Sequence, residues 1–211
     1  YFKCLERKSN LKLIRENELK TEQWNSGSTA EIMIYPPGSM YSNRQFEWRL
    51  SIATIDEEQS LFTKLVGYTR TTMVLKGELT LHHVNRYTVH LKTLEQDYYR
   101  GDWETKSEGK VTNLNLITDR YTSSKMEVKR FFKKFLDDPI DFVEHREEKI
   151  HHLLMALEPI EVQGDVNVSL RKGDFLYLTE ESLDMYKPVI HLYSEEANIQ
   201  FIHIQISFLI S

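Results

Sequence analysis

Apolar and polar residues alternate with a period of two along most of this 211-residue chain. In the segment WRLSIATI, Trp48 and Leu50 fall on one face and Arg49 and Ser51 on the other, because successive side chains of a strand point to opposite faces. The same alternation recurs in the segments 32–35, 70–84, 87–94, 111–121 and 198–211. Short alternating runs separated by turn residues predict an all-β protein.

Helical patterns are scarce, so we expect only a few short helices. Three segments fit a helix: Glu16–Gln23, Lys125–Leu136 and Asp141–Ile150. The second combines phenylalanines at helical spacing with several lysines, a mixture that also suits single-stranded nucleic acid. Aspartates follow this segment at once and offset its charge. We therefore interpret it as a helix with an apolar face and a solvated basic back.

Composition narrows the class of partner. The chain is 40% hydrophobic and 28% charged, and its net charge of −5 argues against a general affinity for nucleic acid. No apolar run reaches the roughly 18 residues that span a bilayer, so no membrane partner is expected. A single cysteine, Cys4, excludes an intrachain disulfide and fits a reducing, cytoplasmic compartment.

A weak internal repeat predicts two related halves. The pattern of a strand, a glycine with an acidic neighbour and another strand occurs in MVLKGELTL and again in IEVQGDVNV. A Gly-Asp turn then precedes a strand at Gly101 and again at Gly173. Repeated short strands of this kind indicate two antiparallel barrels in one chain, which we place at residues 1–122 and 123–211.

Several longer motifs then point to a family. The segments TEQWNSGSTAEI, FEWRLSIATI, SLFTKLVGYTRTTMVLKGELTL, YYRGDW and VTNLNLITDR occur in an order and spacing that resembles the HutD/Ves family of double-cupin proteins. The motifs extend from Asn17 to Arg120. This resemblance implies a cytoplasmic, often dimeric double cupin with no established enzymatic activity and no cofactor. Some members are linked to histidine utilisation, where binding of a pathway intermediate moderates flux, and others to stress responses.

The resemblance also implies a set of site residues. The family motifs match this chain at Trp24, Asn25, Gly27, Thr29, Glu31, Trp48, Arg49, Ser51, Gly67, Arg70, Gly101, Asp102 and Asn115. Among these, we expect six to bind a ligand: Asn25, Thr29, Arg49, Ser51, Arg70 and Asn115.

Arginine chemistry suggests what that ligand is. A guanidinium inside a small barrel is costly unless its charge is answered, and its planar donors suit a carboxylate. Arg49 and Arg70 with neutral partners can hold a small dicarboxylate or an acylated acidic amino acid. In the alternative interpretation, both arginines form structural ion pairs: Arg49 with Glu31 or Glu47, and Arg70 with Asp102 or Asp119.

Histidines offer a second hypothesis. His82 and His83 follow Gly77, but they are adjacent, so only one can face inward on a strand. With His90 and Glu95 they can form a site for zinc or iron, although the ligand spacing of catalytic cupins is absent. A second cluster, His145, His151 and His152, is interpreted as a solvated turn leading into a strand.

The sequence therefore favours a non-catalytic protein that binds a small anionic metabolite and regulates amino-acid (histidine) utilisation or a stress response. Binding through Arg49 and Arg70 without a metal defines this hypothesis. The alternative is a metal-dependent cupin enzyme, an isomerase or an oxygenase.

Overall fold

The structure is a computed structural model that describes residues 11–131, 149–180, 190–194 and 199–208. These residues form β-strands and two single-turn 3₁₀-helices, Glu16–Glu18 and Tyr41–Asn43, with no α-helix among them. Consistent with this, the described chain has no helix of the length and apolarity that crossing a membrane requires. In chain order the strands are β1 (Leu11–Ile14), β2 (Thr21–Trp24), β3 (Gly27–Tyr35), β4 (Trp48–Ile55), β5 (Gln59–Leu61), β6 (Tyr68–Gly77), β7 (Leu79–His83), β8 (Thr88–Leu91), β9 (Gln96–Arg100), β10 (Thr105–Glu108), β11 (Val111–Asp119), β12 (Thr122–Phe131), β13 (Ile150–Ala156), β14 (Ile160–Gly164), β15 (Val168–Leu170), β16 (Phe175–Glu180), β17 (Ile190–Tyr193) and β18 (Ile199–Phe208).

Residues 19–123 form one compact unit, which we call the cavity unit. It contains a six-stranded sheet in the order β2-β3-β4-β11-β6-β9 and a four-stranded sheet in the order β5-β10-β7-β8. Inward-facing apolar side chains from both sheets pack into one core: Ile55, Val74, Leu79, Leu81, Leu91, Tyr99 and Val111. This core anchors the six-stranded sheet, whose polar rows line the candidate site.

A second compact unit, the histidine unit, comprises residues 11–18 and the described residues from 124 onward. Its sheets have the orders β1-β16-β13-β18-β12 and β15-β14-β17. Buried residues of both sheets form its core: Leu154, Ala156, Ile160, Val162, Leu170, Leu176, Leu178, Ile190, Leu192, Ile199 and Phe201. Each unit is thus a pair of antiparallel sheets closed over an apolar interior.

The first strand belongs to the unit that is completed last in the chain. β1 pairs with β16, where Leu11 lies opposite Leu178 and Ile14 opposite Phe175. Arg15 then forms an ion pair with Asp174 at 2.5 Å. The predicted halves, 1–122 and 123–211, differ from the observed units in the placement of this strand. A four-residue alternation predicts a strand, but it carries no information about a partner so far along the chain.

The three predicted helices are wrong wherever they fall on described residues, and the last of them ends at Ile150, which begins β13. The Glu16–Gln23 segment forms a 3₁₀ turn followed by β2, and residues 125–131 belong to β12. Pairing of β12 with β18 satisfies its backbone in a way that local propensity does not show. Glu127 forms ion pairs with Lys125 at 2.8 Å and Lys129 at 2.9 Å. Residues 132–136 and 141–148 of the predicted helices lie outside the described residues.

Candidate functional site

Three rows of paired residues cross the inner face of the six-stranded sheet in the cavity unit. Strand register aligns Arg49, Ile117 and Arg70 in the first row, Ser51, Asn115 and Thr72 in the second, and Thr29, Ala53 and Asn113 in the third. Because paired residues share a face, the side chains of all three rows point to the same side of the sheet. All of these residues except Thr72 border a cavity of about 300 Å³, together with Tyr41, Phe62 and Thr63 from the connecting segments. That volume is at the lower end of the range for small-molecule sites.

A β-bulge in β3 shapes one wall of this cavity. The register with β4 shifts between Glu31 and Met33, so that Glu31 lies opposite Ser51 and Ile34 opposite Arg49. Bulges bend a strand and re-aim its side chains. As a result, the Glu31 carboxylate reaches diagonally to the arginine of the neighbouring row.

Arg49 is a buried cation whose charge is already balanced by a carboxylate. Its Nε donates to Oε2 of Glu31 at 2.7 Å, and its Nη1 donates to the Ser51 hydroxyl at 3.1 Å. The guanidinium also lies over the Tyr41 ring, 4.4 Å from the ring centre. The ion-pair interpretation with Glu31 therefore describes Arg49, although this residue also borders the cavity.

Arg70 is equally buried, with 8% of its surface exposed, but it has no carboxylate partner among the described residues. Its Nη2 donates to the backbone carbonyl of Thr63 at 3.1 Å, and the guanidinium lies 5.3 Å from the Phe62 ring centre. The two acidic residues that the ion-pair interpretation assigned to it are engaged elsewhere. Asp102 pairs with Arg100 at 2.7 Å, and Asp119 accepts hydrogen bonds from Tyr121 and Thr122. Arg70 therefore brings an uncompensated positive charge to the cavity.

A chain of hydrogen bonds runs along the inner face of the sheet, from beside the cavity into its lining. The Thr72 hydroxyl donates to Oδ1 of Asn115 at 2.9 Å and lies 3.3 Å from the Tyr99 hydroxyl. Asn115 Nδ2 donates in turn to Oδ1 of Asn113. Asn113 is fully buried, and its Nδ2 has no hydrogen-bond partner in the described part of the chain. Burial raises the pKa of Tyr99, against the opposing charge of Arg70, so this hydroxyl is neutral.

Five of the six predicted ligand residues border the cavity: Thr29, Arg49, Ser51, Arg70 and Asn115. The sixth, Asn25, does not. It lies in the exposed two-residue turn between β2 and β3, because the hairpin reverses at this position. Beside it, Trp24 Nε1 donates to the Thr29 hydroxyl at 3.1 Å. The turn thus positions Thr29 without itself reaching the cavity.

Asn113 was not among the residues expected in the site, although its spacing from Asn115 indicates that it belongs there. Asn113 precedes Asn115 by two positions on β11, so strand alternation places both amides on one face. Tyr41, Phe62 and Thr63 lie on connecting segments, where periodicity carries no information about which side chain turns inward.

The histidines considered for a metal site do not converge. Of the adjacent pair, His83 is buried and His82 half-exposed, as strand alternation predicts. His83 Nε2 lies 2.8 Å from the Asp97 carboxylate, whereas His90 is exposed and pairs with Glu78. The described residues contain no group of three or more His, Cys, Asp or Glu side chains that could hold a metal ion.

The prediction of a solvated turn at His151 and His152 is wrong, because both histidines lie in β13 and are fully buried. His152 Nδ1 is 3.0 Å from Nε2 of His203, and His151 Nδ1 is 2.7 Å from the Tyr177 hydroxyl. Burial lowers the pKa of His151 and His152 to about 3 and that of His203 to about 4. Cys4 and His145 lie outside the described residues.

Comparison with known proteins identifies relatives of this chain. The HutD family model matches residues 16–190. Protein Ves from Citrobacter koseri is 38% identical over 102 residues, which are 45% of this chain and 50% of that protein, so the chain spans about half the length of this relative.

Solved structures show the same fold over almost the whole chain. A conserved protein of unknown function from Pseudomonas aeruginosa PAO1 has a TM-score of 0.72 at 25% identity, covering 94% of this chain and 99% of that one. HutD from Pseudomonas fluorescens SBW25 has a TM-score of 0.68 at 22% identity, covering 93% and 97%. An oxalate decarboxylase structure has a TM-score of 0.62 at 6% identity, covering 95% and 78%. The predicted all-β double-cupin fold and the family resemblance are both confirmed.

Proposed function

The chain belongs to the HutD family of double cupins, and on that premise we propose that it binds a small anionic metabolite in the cavity of residues 19–123. Arg70 carries this proposal. A buried guanidinium without a counter-ion is costly, and a ligand carboxylate in the cavity supplies the missing charge. Arg49, already paired with Glu31, contributes donors rather than net charge.

The size and chemistry of the cavity suit a short, oxygen-rich molecule. A volume of about 300 Å³ holds a carboxylate at Arg70 and a second polar group near Asn113 and Ser51. Small dicarboxylates and acylated acidic amino acids have this form. We propose that the protein acts as a non-catalytic, cytoplasmic regulator in amino-acid (histidine) utilisation or a stress response, and that it works as a homodimer.

Ligand-dependent thermal stability tests the proposal. A ligand present at 100 times its Kd stabilises the folded state by about 2.7 kcal/mol, which raises Tm by about 5–10 °C for a chain of this size. We expect N-formyl-L-glutamate, glutarate or succinate to produce such a shift. A panel in which none of these anions raises Tm would contradict the proposed function.

Replacing Arg70 with glutamine is expected to weaken binding roughly 10- to 100-fold, because a charge-assisted hydrogen bond contributes about 1.5–3 kcal/mol. Titration calorimetry with the best anion of the panel measures this loss. Arg86→Gln is the matched control, since Arg86 is exposed and lies over the Trp103 ring instead of the cavity. If Arg70→Gln and Arg86→Gln bound the anion with the same Kd, the anion would bind outside this cavity.

Glu31→Gln is expected to have the opposite effect on affinity. Removing this carboxylate leaves the Arg49 charge uncompensated, so the same anion should bind about fivefold more tightly. Glu22→Gln serves as the control, because Glu22 borders the cavity from the exposed strand β2 without an ion pair among the described residues. Unchanged affinity in Glu31→Gln would remove Arg49 from the binding site.

A further inference from the structure

We propose that Thr72, which lies at the end of the second row just outside the cavity lining, determines which ligands the cavity accepts by fixing the orientation of two side-chain amides. The inference rests on the proposed function, because it concerns the same cavity. It assigns a specificity-determining role to a residue that is fully buried and does not itself border the cavity. Its physical basis is the direction in which hydrogen bonds run along the wall.

That direction originates at Arg70. A guanidinium can only donate hydrogen bonds, and Arg70 acts on the Tyr99 hydroxyl through both charge and hydrogen bonding. Because the Thr72 hydroxyl gives its one hydrogen to Asn115, it accepts in its 3.3 Å contact with the Tyr99 hydroxyl, which is therefore the donor there. The Thr72 hydroxyl then donates to Asn115 Oδ1 at 2.9 Å. Each hydroxyl accepts from one side and donates to the other.

The side-chain amides of Asn115 and Asn113 continue this order of donors and acceptors to the cavity. Because Oδ1 of Asn115 faces Thr72, its Nδ2 faces Asn113 and donates to Oδ1 of that residue. Asn113, a residue of the cavity lining, therefore keeps its Nδ2 on the side away from Asn115, and this buried donor has no hydrogen-bond partner in the described residues. If Asn115 were reversed, Asn113 would reverse as well and present an oxygen.

Two further hydroxyls of the cavity wall, those of Ser51 and Thr29, have the same polarity. Ser51 accepts a hydrogen bond from Arg49, and Thr29 accepts one from Trp24. Each hydroxyl has its own hydrogen left to donate. The inner wall consequently offers donors, which suits a ligand with several acceptor oxygens and disfavours one that carries a free ammonium group. The ligand class is an oxygen-rich anion without a free amine.

Matched ligand pairs test this inference. Glutarate and L-glutamate differ by the ammonium group, as do succinate and L-aspartate, and titration calorimetry gives the Kd of each. For the wild-type protein we expect the dicarboxylate of at least one pair to bind 100-fold more tightly than its amino counterpart. In Thr72→Val, which keeps the shape but loses the hydroxyl, both amide orientations become equivalent, and this ratio should fall at least tenfold.

Two further variants separate specificity from general damage. Thr72→Ser retains the hydroxyl and should restore the wild-type ratio. Thr69→Val removes a hydroxyl from the opposite face of the same strand, where Thr69 bonds Thr118 at 2.7 Å, and should leave the ratio unchanged. A ratio in Thr72→Val equal to that of the wild type would overturn the role of Thr72.

The outcomes for this inference and for the proposed function are distinct. Equal binding of both members of each pair to the wild-type protein would overturn the donor polarity while leaving the anion site intact. Failure of every dicarboxylate and of N-formyl-L-glutamate to bind would overturn both.

Discussion

Substitution of Gly27 by alanine is expected to lower the free energy of unfolding by about 3 kcal/mol or more, because the added methyl group has no space. A Cβ at this position would lie 1.9 Å from the backbone carbonyl oxygen of Thr54 and 2.9 Å from its carbonyl carbon. Gly27 begins β3 and pairs with Ile55, so a backbone atom of the neighbouring strand is the obstacle. Only separation of the two strands relieves the contact, and these strands carry one side of the cavity.

Equilibrium unfolding in urea measures this effect. Gly38→Ala is the control: Gly38 also has positive φ, +88°, but a Cβ there meets nothing within 4 Å. That variant should lose only about 1 kcal/mol, from backbone strain alone. If the two variants were equally stable, close packing of β3 against β4 would not be the reason for glycine at position 27.

Acidification from pH 7 to pH 5 is expected to destabilise the histidine unit by several kcal/mol. The pKa values of His151 and His152 are lowered to about 3 and that of His203 to about 4, each mainly by burial, whereas the unfolded chain has the ordinary value of 6.5. Below pH 6.5 the unfolded state therefore binds protons that the folded state excludes, and stability falls with pH. At pH 5 the loss is about 2 kcal/mol for each independent histidine, or about 6 kcal/mol at most for all three.

Urea unfolding at a series of pH values tests this expectation. His203→Gln should reduce the slope of stability against pH between pH 6.5 and 5, because one of the three titrating groups is gone. Were His203→Gln to retain the full slope, a different group would be responsible for the acid sensitivity.

Strand alternation predicted Arg49 and Ser51 in the cavity lining, whereas Thr29, Arg70 and Asn115 were expected from the family resemblance. The pattern around Trp48 correctly placed Arg49 and Ser51 opposite the apolar side chains, because a strand has only two faces. Arg70 and Asn115 reach the same face through strand register. Asn25 belongs to a turn, so its match to the family motif reflects the hairpin and does not imply a ligand contact.

Other properties depend on contacts between distant segments, which a local pattern does not contain. Adjacent histidines with acidic and basic neighbours are typical of a polar turn. His151 and His152 nevertheless lie in β13, which pairs with β16 on one side and with β18 on the other. The ion pair of Arg49 with Glu31 depends on a one-residue bulge in β3. The sequence alone therefore could not predict which of the two arginines lacks an acidic partner.

Pairing of β1 with β16 affects how the protein is made. Arg15 and Asp174 are 159 residues apart, so a ribosome adding roughly 5–20 residues per second takes about 8–32 s to deliver the partner of a strand already synthesised. Throughout that interval the hydrogen-bonding edge of Leu11–Ile14 lacks its native neighbour. The cavity unit, whose strands all lie between residues 19 and 123, can meanwhile reach its native pairing. Vectorial synthesis thus allows the cavity unit to begin folding before the histidine unit, which needs the first strand and its late partner together.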